Sequence, residues 1–306
     1  MVLASVVHSV MLQTLKFLGF CAGYSSKNVV VSEFDWSYLE RHGKEEDANG
    51  TVVVLHGFSA IKETCINTAR DINKKFKVII PDLPGHGRTT PINPLLNYSV
   101  DHQARRLHEF FDATIAPEKK IHLVGISMGG MIAGVYAATY PERVSSLTLV
   151  CPAGITMKNK STGLKILEET GENLLLAHKT DDIVRMSKLI SEGREIPHFI
   201  ASIIAGEREK QLPVLKKIVS DCFPQQTILD EYIPRIRAKT LVMWGKQDQV
   251  LDVSCVETLE KKLAVDQKHV IIFDGCGHTV HHERHEECAN AISEFITGKV
   301  PTLCAA

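Results

Sequence analysis

Short apolar runs recur along the chain, each closed by glycine, proline or small polar residues. Thr51–Leu55 reads Thr-Val-Val-Val-Leu, a continuous β-branched run of the kind that forms a strand buried on both faces. Similar runs at 78–80, 121–124, 144–150, 240–244 and 270–273 predict further strands. Ahead of them, 29–32 and 34–39 predict two short strands paired antiparallel. Between the runs, apolar positions return at helical spacing. One helix is expected from the end of His56-Gly57-Phe58-Ser59-Ala60 to about residue 75. Another runs from an N-cap at Ser99 through residue 116, with Leu107, Phe110 and Phe111 inward. Helices follow at 129–140 (Met131, Val135 and Ala138 on one face), at 254–264 and at 282–296. Strands alternating with helices imply βαβ crossovers, hence an α/β fold with a mainly parallel sheet and helices on both faces.

Residues 155–232 break this rhythm. No strand pattern occurs there, whereas Thr180-Asp181-Asp182 starts a helix with Ile183, Met186 and Leu189/Ile190 on one side. Pro197 and Pro213 each suit a first helical position, ahead of Phe199-Ile200-Ile203-Ile204 and Val214-Leu215-Ile218-Val219. A helical insertion of roughly 80 residues is too long for an ordinary loop. It leaves after one strand and returns before the next, so it is expected to form a lid over the C-terminal edge of the sheet. The predicted organisation is an apolar N-terminal segment (1–24), a core (25–154 and 233–298), the lid (155–232) and a tail (299–306). Within 2–22 the only formal charge is Lys16. Ser5, Ser9, Gln13 and Lys16 form one polar stripe, with His8 beside them. Such a helix is expected to lie on a membrane surface rather than pass through it.

Composition removes several classes. Lys plus Arg number 35 against 36 Asp plus Glu, a net charge of −1 that offers nothing to nucleic acid. The eight cysteines lack the paired spacing of a metal site, and their scatter is that of free thiols in a reducing compartment. No metal and no cofactor is implied.

The chemistry centres on Gly125-Ile126-Ser127-Met128-Gly129, a G-x-S-x-G between a predicted strand and a predicted helix. This context is that of a nucleophile elbow, a strained turn that lifts a serine oxygen above the sheet. Gly125 and Gly129 are expected to be small because a Cβ there would meet neighbouring backbone. The alternative is a glycine-rich turn in which Ser127 only caps the helix. A serine needs a base and a group that orients the base, in the chain order serine, acid, histidine. Asp248 follows the 240–244 strand, and His278, flanked by loop glycines, follows the last one. Loops at the C-terminal ends of parallel strands converge on one crevice. Asp252 competes for the acid; Asp274 is too near His278 in sequence to orient it. His281, His282 and His285 are read as surface or helix-face residues, and His56 and His86 as structural. The oxyanion is assigned to the backbone N–H groups of Met128 and Phe58.

His56-Gly57-Phe58-Ser59-Ala60, Gly125-Ile126-Ser127-Met128-Gly129-Gly130, residues 133–138, Cys151-Pro152-Ala153-Gly154, residues 244–254 and Gly275-Cys276-Gly277-His278 together resemble an α/β-hydrolase, specifically monoacylglycerol lipases of the α/β-hydrolase-domain-containing-protein-6 type. The match runs along most of 51–296. The resemblance implies the α/β-hydrolase fold and a serine esterase acting on monoacylglycerols and related lysolipids. It also implies membrane association, with the catalytic domain facing the cytosol, and supports Ser127, Asp248 and His278 as triad with Phe58 and Met128 as oxyanion donors. The lid matches the family loosely and the N-terminal apolar segment is short. Two other readings share the lid and triad: a carbon–carbon bond hydrolase of the meta-cleavage-product type, and a ligand receptor built on the hydrolase fold.

Overall fold

The computed structural model describes residues 13–14, 16–44, 50–193, 195–223 and 227–301. Eight strands form one sheet: β1 (Ser25–Val31), β2 (Phe34–Arg41), β3 (Thr51–Leu55), β4 (Lys77–Pro81), β5 (Ile121–Ile126), β6 (Val144–Val150), β7 (Lys239–Gly245) and β8 (Lys268–Phe273), in the spatial order β1-β2-β4-β3-β5-β6-β7-β8. The β1–β2 and β2–β4 pairs are antiparallel and all others parallel. The continuous apolar runs are the inner parallel strands: β3 and β5 are buried along their whole length. β1, at the edge, alternates between exposed and half-buried positions.

The chain leaves β3 for β4 on one side and then crosses back past β3 to β5. Because such crossovers are right-handed, the two connections lie on opposite faces. Helix α1 (Ile66–Asp71) serves the first, and α2 (Val100–Thr114) the second. α2 packs with α3 (Met128–Thr139), and α1 with α9 (His285–Ile296). The winding reverses between β3 and β5, the place where sheets of this kind bind ligands beyond their C-terminal strand ends.

Differences from the expected elements are local. The helix after β3 is a 3-10 turn (Lys62–Cys65) followed by the short α1. Ser99 precedes α2, but its Oγ meets His102 Nδ1 at 2.8 Å instead of capping a backbone N–H. The expected 254–264 helix is α7 (Cys255–Lys262), and the 282–296 helix is two pieces, α8 (Val280–Glu283) and α9.

Residues 155–232 hold α4 (Thr162–Thr170), α5 (Thr180–Ile190) and α6 (His198–Cys222), with 3-10 turns between and after them. Pro213 does not start a helix; it lies inside the single 25-residue α6. A proline there forfeits one backbone bond. Ala205 and Arg208 before it, and Val214, Leu215 and Ile218 after it, are all buried, the first half packing with α5 and the second against the main core.

The polar-striped N-terminal segment lies mainly outside the described residues. Residues 16–21 are helical, with Gly19 against Ile66 and Phe17 and Phe20 exposed at 65% and 74%. Among the described residues no helix is long and apolar enough to cross a membrane.

Candidate active site

β5 ends at Ile126 and α3 begins at Met128, so Ser127 alone makes the turn. Its backbone sits at φ 53°, ψ −115°, outside the regions open to an L-residue at low energy. Three backbone bonds hold it there. Its N–H donates to the Val150 carbonyl at 2.9 Å, and its carbonyl accepts from Met131 and Ala153, each at 3.0 Å. The expected need for glycine is met in kind. A Cβ on Gly125 would stand 2.4 Å from the Gly129 carbonyl, and one on Gly129 2.5 Å from the His56 carbonyl. The Ser127 hydroxyl makes no capping bond to α3, so the strained turn is not explained by helix capping.

Asp248, in the loop after β7, has a fully buried side chain. Its Oδ2 accepts from His278 Nδ1 at 2.7 Å, while Oδ1 accepts the N–H groups of Val250 and Leu251 at 2.8 and 2.9 Å. Trp244 Nε1 donates to the Leu251 carbonyl at 3.0 Å and closes the same loop. With Nδ1 as donor, His278 carries its lone pair on Nε2, the tautomer a general base requires. Cys151 Sγ lies within 4.8 Å of the Asp248 and His278 donor atoms. The competing acids are engaged elsewhere. Asp252 Oδ1 accepts the Ser254 N–H at 2.9 Å, and Asp274, 74% exposed, binds Gln247 Nε2 and Lys246.

The other histidines divide. His285, half-buried at the start of α9, meets Asp71 of α1 at 3.0 Å. His281, expected on a surface or helix face, is buried with its ring 4.2 Å from that of His282; burial holds it well below the ordinary imidazole pKa. The four-residue α8 packs on α1 and buries Val280 and His281, leaving His282 and Glu283 half-buried, a division that residue spacing does not reveal.

Phe58 and Met128 bracket the serine. The loop at Gly57 approaches so closely that a Cβ there would lie 3.3 Å from Ser127 Cβ. Among the described hydrogen bonds, neither the Phe58 nor the Met128 amide has a protein acceptor. His56 braces this loop: Nδ1 donates to the Gly57 carbonyl at 2.8 Å, and Nε2 accepts the Leu83 N–H at 3.0 Å. Burial lowers its pKa, so the ring is neutral. His86 stands edge-on to both His56 and Phe58, and burial pushes it down to about 3.

Two supports escaped the sequence reading. Lys62 and Asp82, both fully buried, pair at 2.5 Å beneath the 56–61 loop, and Asp82 also accepts the N–H groups of Lys62 and Arg88. Arg208 of α6 reaches Ser59 Oγ at 3.0 Å. Asp82 alone stands out as a charge between apolar neighbours, whereas Arg208 lies in the charged run Glu207-Arg208-Glu209-Lys210 and Lys62 precedes Glu63, so neighbours in sequence name no partner. The helical insertion touches each loop of the site. Gly163 N–H donates to the Gln249 carbonyl at 2.8 Å, Thr279 N–H to the Ile190 carbonyl at 3.0 Å, and Ser191 Oγ meets Thr279 Oγ1 at 2.7 Å. An open cleft of about 510 Å³ at the opposite, N-terminal end of the parallel strands is lined by Lys120, Glu142, Arg237 and Lys239 among others. No histidine lines it, so side-chain chemistry rather than cavity size locates the site.

Comparison with known proteins agrees with this geometry. Residues 50–189 match the family model for the alpha/beta hydrolase fold. Monoacylglycerol lipase abhd6-B of Xenopus laevis is 35% identical over 258 residues, covering 81% of this chain and 75% of the relative. Monoacylglycerol lipase ABHD6 of Homo sapiens is 33% identical, covering 86% of this chain and 79% of its own length. The chain belongs to the ABHD6-type α/β hydrolases. It is therefore an ester hydrolase. A crystal structure described as a membrane phospholipase A, a bacterial virulence factor, superposes with a TM-score of 0.85 at 31% identity, covering 97% of this chain and 92% of that one.

Proposed function

We propose that this ABHD6-type hydrolase cleaves single-chain lipid esters, monoacylglycerol foremost, to free fatty acid and alcohol through an acyl-enzyme on Ser127. His278 Nε2 takes the hydroxyl proton as Ser127 Oγ attacks the ester carbonyl. The Phe58 and Met128 amides receive the oxyanion, and the leaving alkoxide takes its proton from His278. Water then repeats the sequence on the acyl-enzyme. Asp248 holds the imidazole tautomer and stabilises the imidazolium. The observation that carries this reading is the buried 2.7 Å Asp248–His278 bond, on the loops after β7 and β8, at the same sheet edge as the strained Ser127. Similarity to monoacylglycerol lipases supports the substrate class.

The helical insertion acts as the lid, with room for one acyl chain. A tail leaving a bilayer is already sheltered from water, so chain length discriminates weakly, within about tenfold between medium and long chains. Extra acyl chains have no place. The N-terminal segment, with Phe17 and Phe20 exposed, binds a membrane surface and presents the catalytic domain to the cytosol. Matched micelles of mono- and triacylglycerol test the reading, with Ser127→Ala alongside and a dienoate substrate for the carbon–carbon alternative. Monoacylglycerol should turn over far faster and only with Ser127 present. Equal or faster triacylglycerol hydrolysis refutes the one-chain lid. Release from vesicles on deleting residues 1–23, with short-chain ester activity intact, tests the membrane role.

A further inference from the structure

Arg208 is 6% exposed, on the face of α6 that packs towards α5 and the Gly57–Ala60 turn, and burial pulls its pKa down to about 10. Among the described residues no carboxylate pairs with it. A buried guanidinium without a counter-charge is costly, and its neighbours must justify it. Nη1 donates to Ser59 Oγ at 3.0 Å and approaches Met186 Sδ at 3.3 Å, and Nη2 donates to the Leu175 carbonyl. One side chain thus joins α6, α5 and the 3-10 turn Leu174–Leu176 to the loop that carries Phe58.

Ser59 is the unusual end of this bridge. Its φ of 54° lies in the left-handed region that a non-glycine residue occupies at a cost. The Ala60 N–H donates to the Gly57 carbonyl at 3.3 Å, so Phe58 and Ser59 are the two central residues of a tight turn. The Phe58 N–H lies in the preceding Gly57–Phe58 peptide, and closure of the turn by the Ala60–Gly57 bond couples that peptide to the torsion of Ser59, so what holds Ser59 at positive φ also constrains the Phe58 amide. Gly57 and His56 fix the turn's other side.

We propose that Arg208 is a positioning residue for ester hydrolysis: by gripping Ser59 it holds the Gly57–Ala60 turn with the Phe58 amide aimed at the oxyanion, and so couples the seating of the helical insertion to catalytic competence. This rests on the site reading above. An oxyanion donor acts through direction as much as presence, because its bond to the transition state weakens steeply when misaligned.

Three variants test it on p-nitrophenyl butyrate, with wild type and Ser127→Ala as references. Ser59→Ala removes only the hydroxyl that Arg208 grips. Arg208→Lys keeps the charge without the second arm. Ser59→Gly lacks the hydroxyl but adopts positive φ unaided. Deleting an oxyanion donor costs about 10²–10³ in kcat; a misdirected one should cost about ten- to thirtyfold in Ser59→Ala and in Arg208→Lys, with KM within about twofold. Because both act through one contact, the double variant should lose no more than the worse single. Ser59→Gly should recover at least about threefold over Ser59→Ala. Unchanged kcat in Ser59→Ala, losses that multiply, or a fall in thermal stability that tracks kcat with no recovery in Ser59→Gly would each overturn the inference while leaving the site intact. Absence of wild-type turnover, or turnover surviving in Ser127→Ala, would overturn the site reading and this inference together.

Discussion

Replacing Ser127 with glycine should abolish hydrolysis and stabilise the protein at once. At φ 53°, ψ −115° the serine Cβ is held in a region nearly reserved for glycine, which costs about 1–3 kcal/mol. The strain persists because the bonds to Val150, Met131 and Ala153 over-determine the turn, and those bonds are all main-chain and survive the substitution. Glycine removes the strain but loses about 0.5–1 kcal/mol through greater freedom in the unfolded chain. The net gain is about 1 kcal/mol. Unfolding 306 residues releases entropy of about 0.6 kcal/mol/K, so Tm should rise by about 1.5 °C. The right reference is Ser127→Ala, equally inactive but still carrying a Cβ, so that differences in turnover or bound product do not enter. Paired thermal scans and urea titrations of the two variants give the number. If Ser127→Gly is no more stable than Ser127→Ala, the elbow stores no strain and the backbone reasoning fails.

Asp248→Asn should set the wrong imidazole tautomer and cost up to on the order of 10⁴ in kcat, whereas Asp252→Asn should cost less than about tenfold; a reversed ranking in steady-state kinetics refutes the acid assignment. Gly87→Ala should destabilise by about 3–5 kcal/mol in urea titration, because its Cβ would lie 2.2 Å from the Asp82 carboxyl carbon and force that group off buried Lys62; a midpoint shift of under about 1 kcal/mol equivalent refutes it. His86 is held neutral down to about pH 3, below its unfolded value near 6.5, so the unfolded chain binds the extra proton between these limits. Stability should therefore be lost as pH falls from about 6.5 towards 3, and His86→Asn should flatten that slope by up to about 1.4 kcal/mol per pH unit. An unchanged slope would refute it.

The parallel strands and the elbow were legible along the chain because each is a local event. Thr51–Leu55 and Val144–Val150 are apolar throughout because both faces of a central parallel strand are covered, and that requirement is written into consecutive residues. G-x-S-x-G is legible because the turn is made by consecutive residues: a Cβ at Gly125 would meet Gly129 and Gly130 of the same turn, although one at Gly129 would meet Leu55 and His56 at the neighbouring strand end. The order serine, aspartate, histidine followed once those strands were placed. What the tertiary structure decided involves partners far apart in the chain. His281 is buried because α8 packs on α1, Pro213 stays inside a helix because one flank packs with α5 and the other against the main core, and Lys62 is meaningful only beside Asp82. Arg208 and Ser59 meet across 149 positions, with no spacing rule to bring them together. Periodicity reports which face of an element is buried, but it cannot say against what. The partner of a buried charge is chosen by how the elements pack, and that choice exists only once the chain has folded.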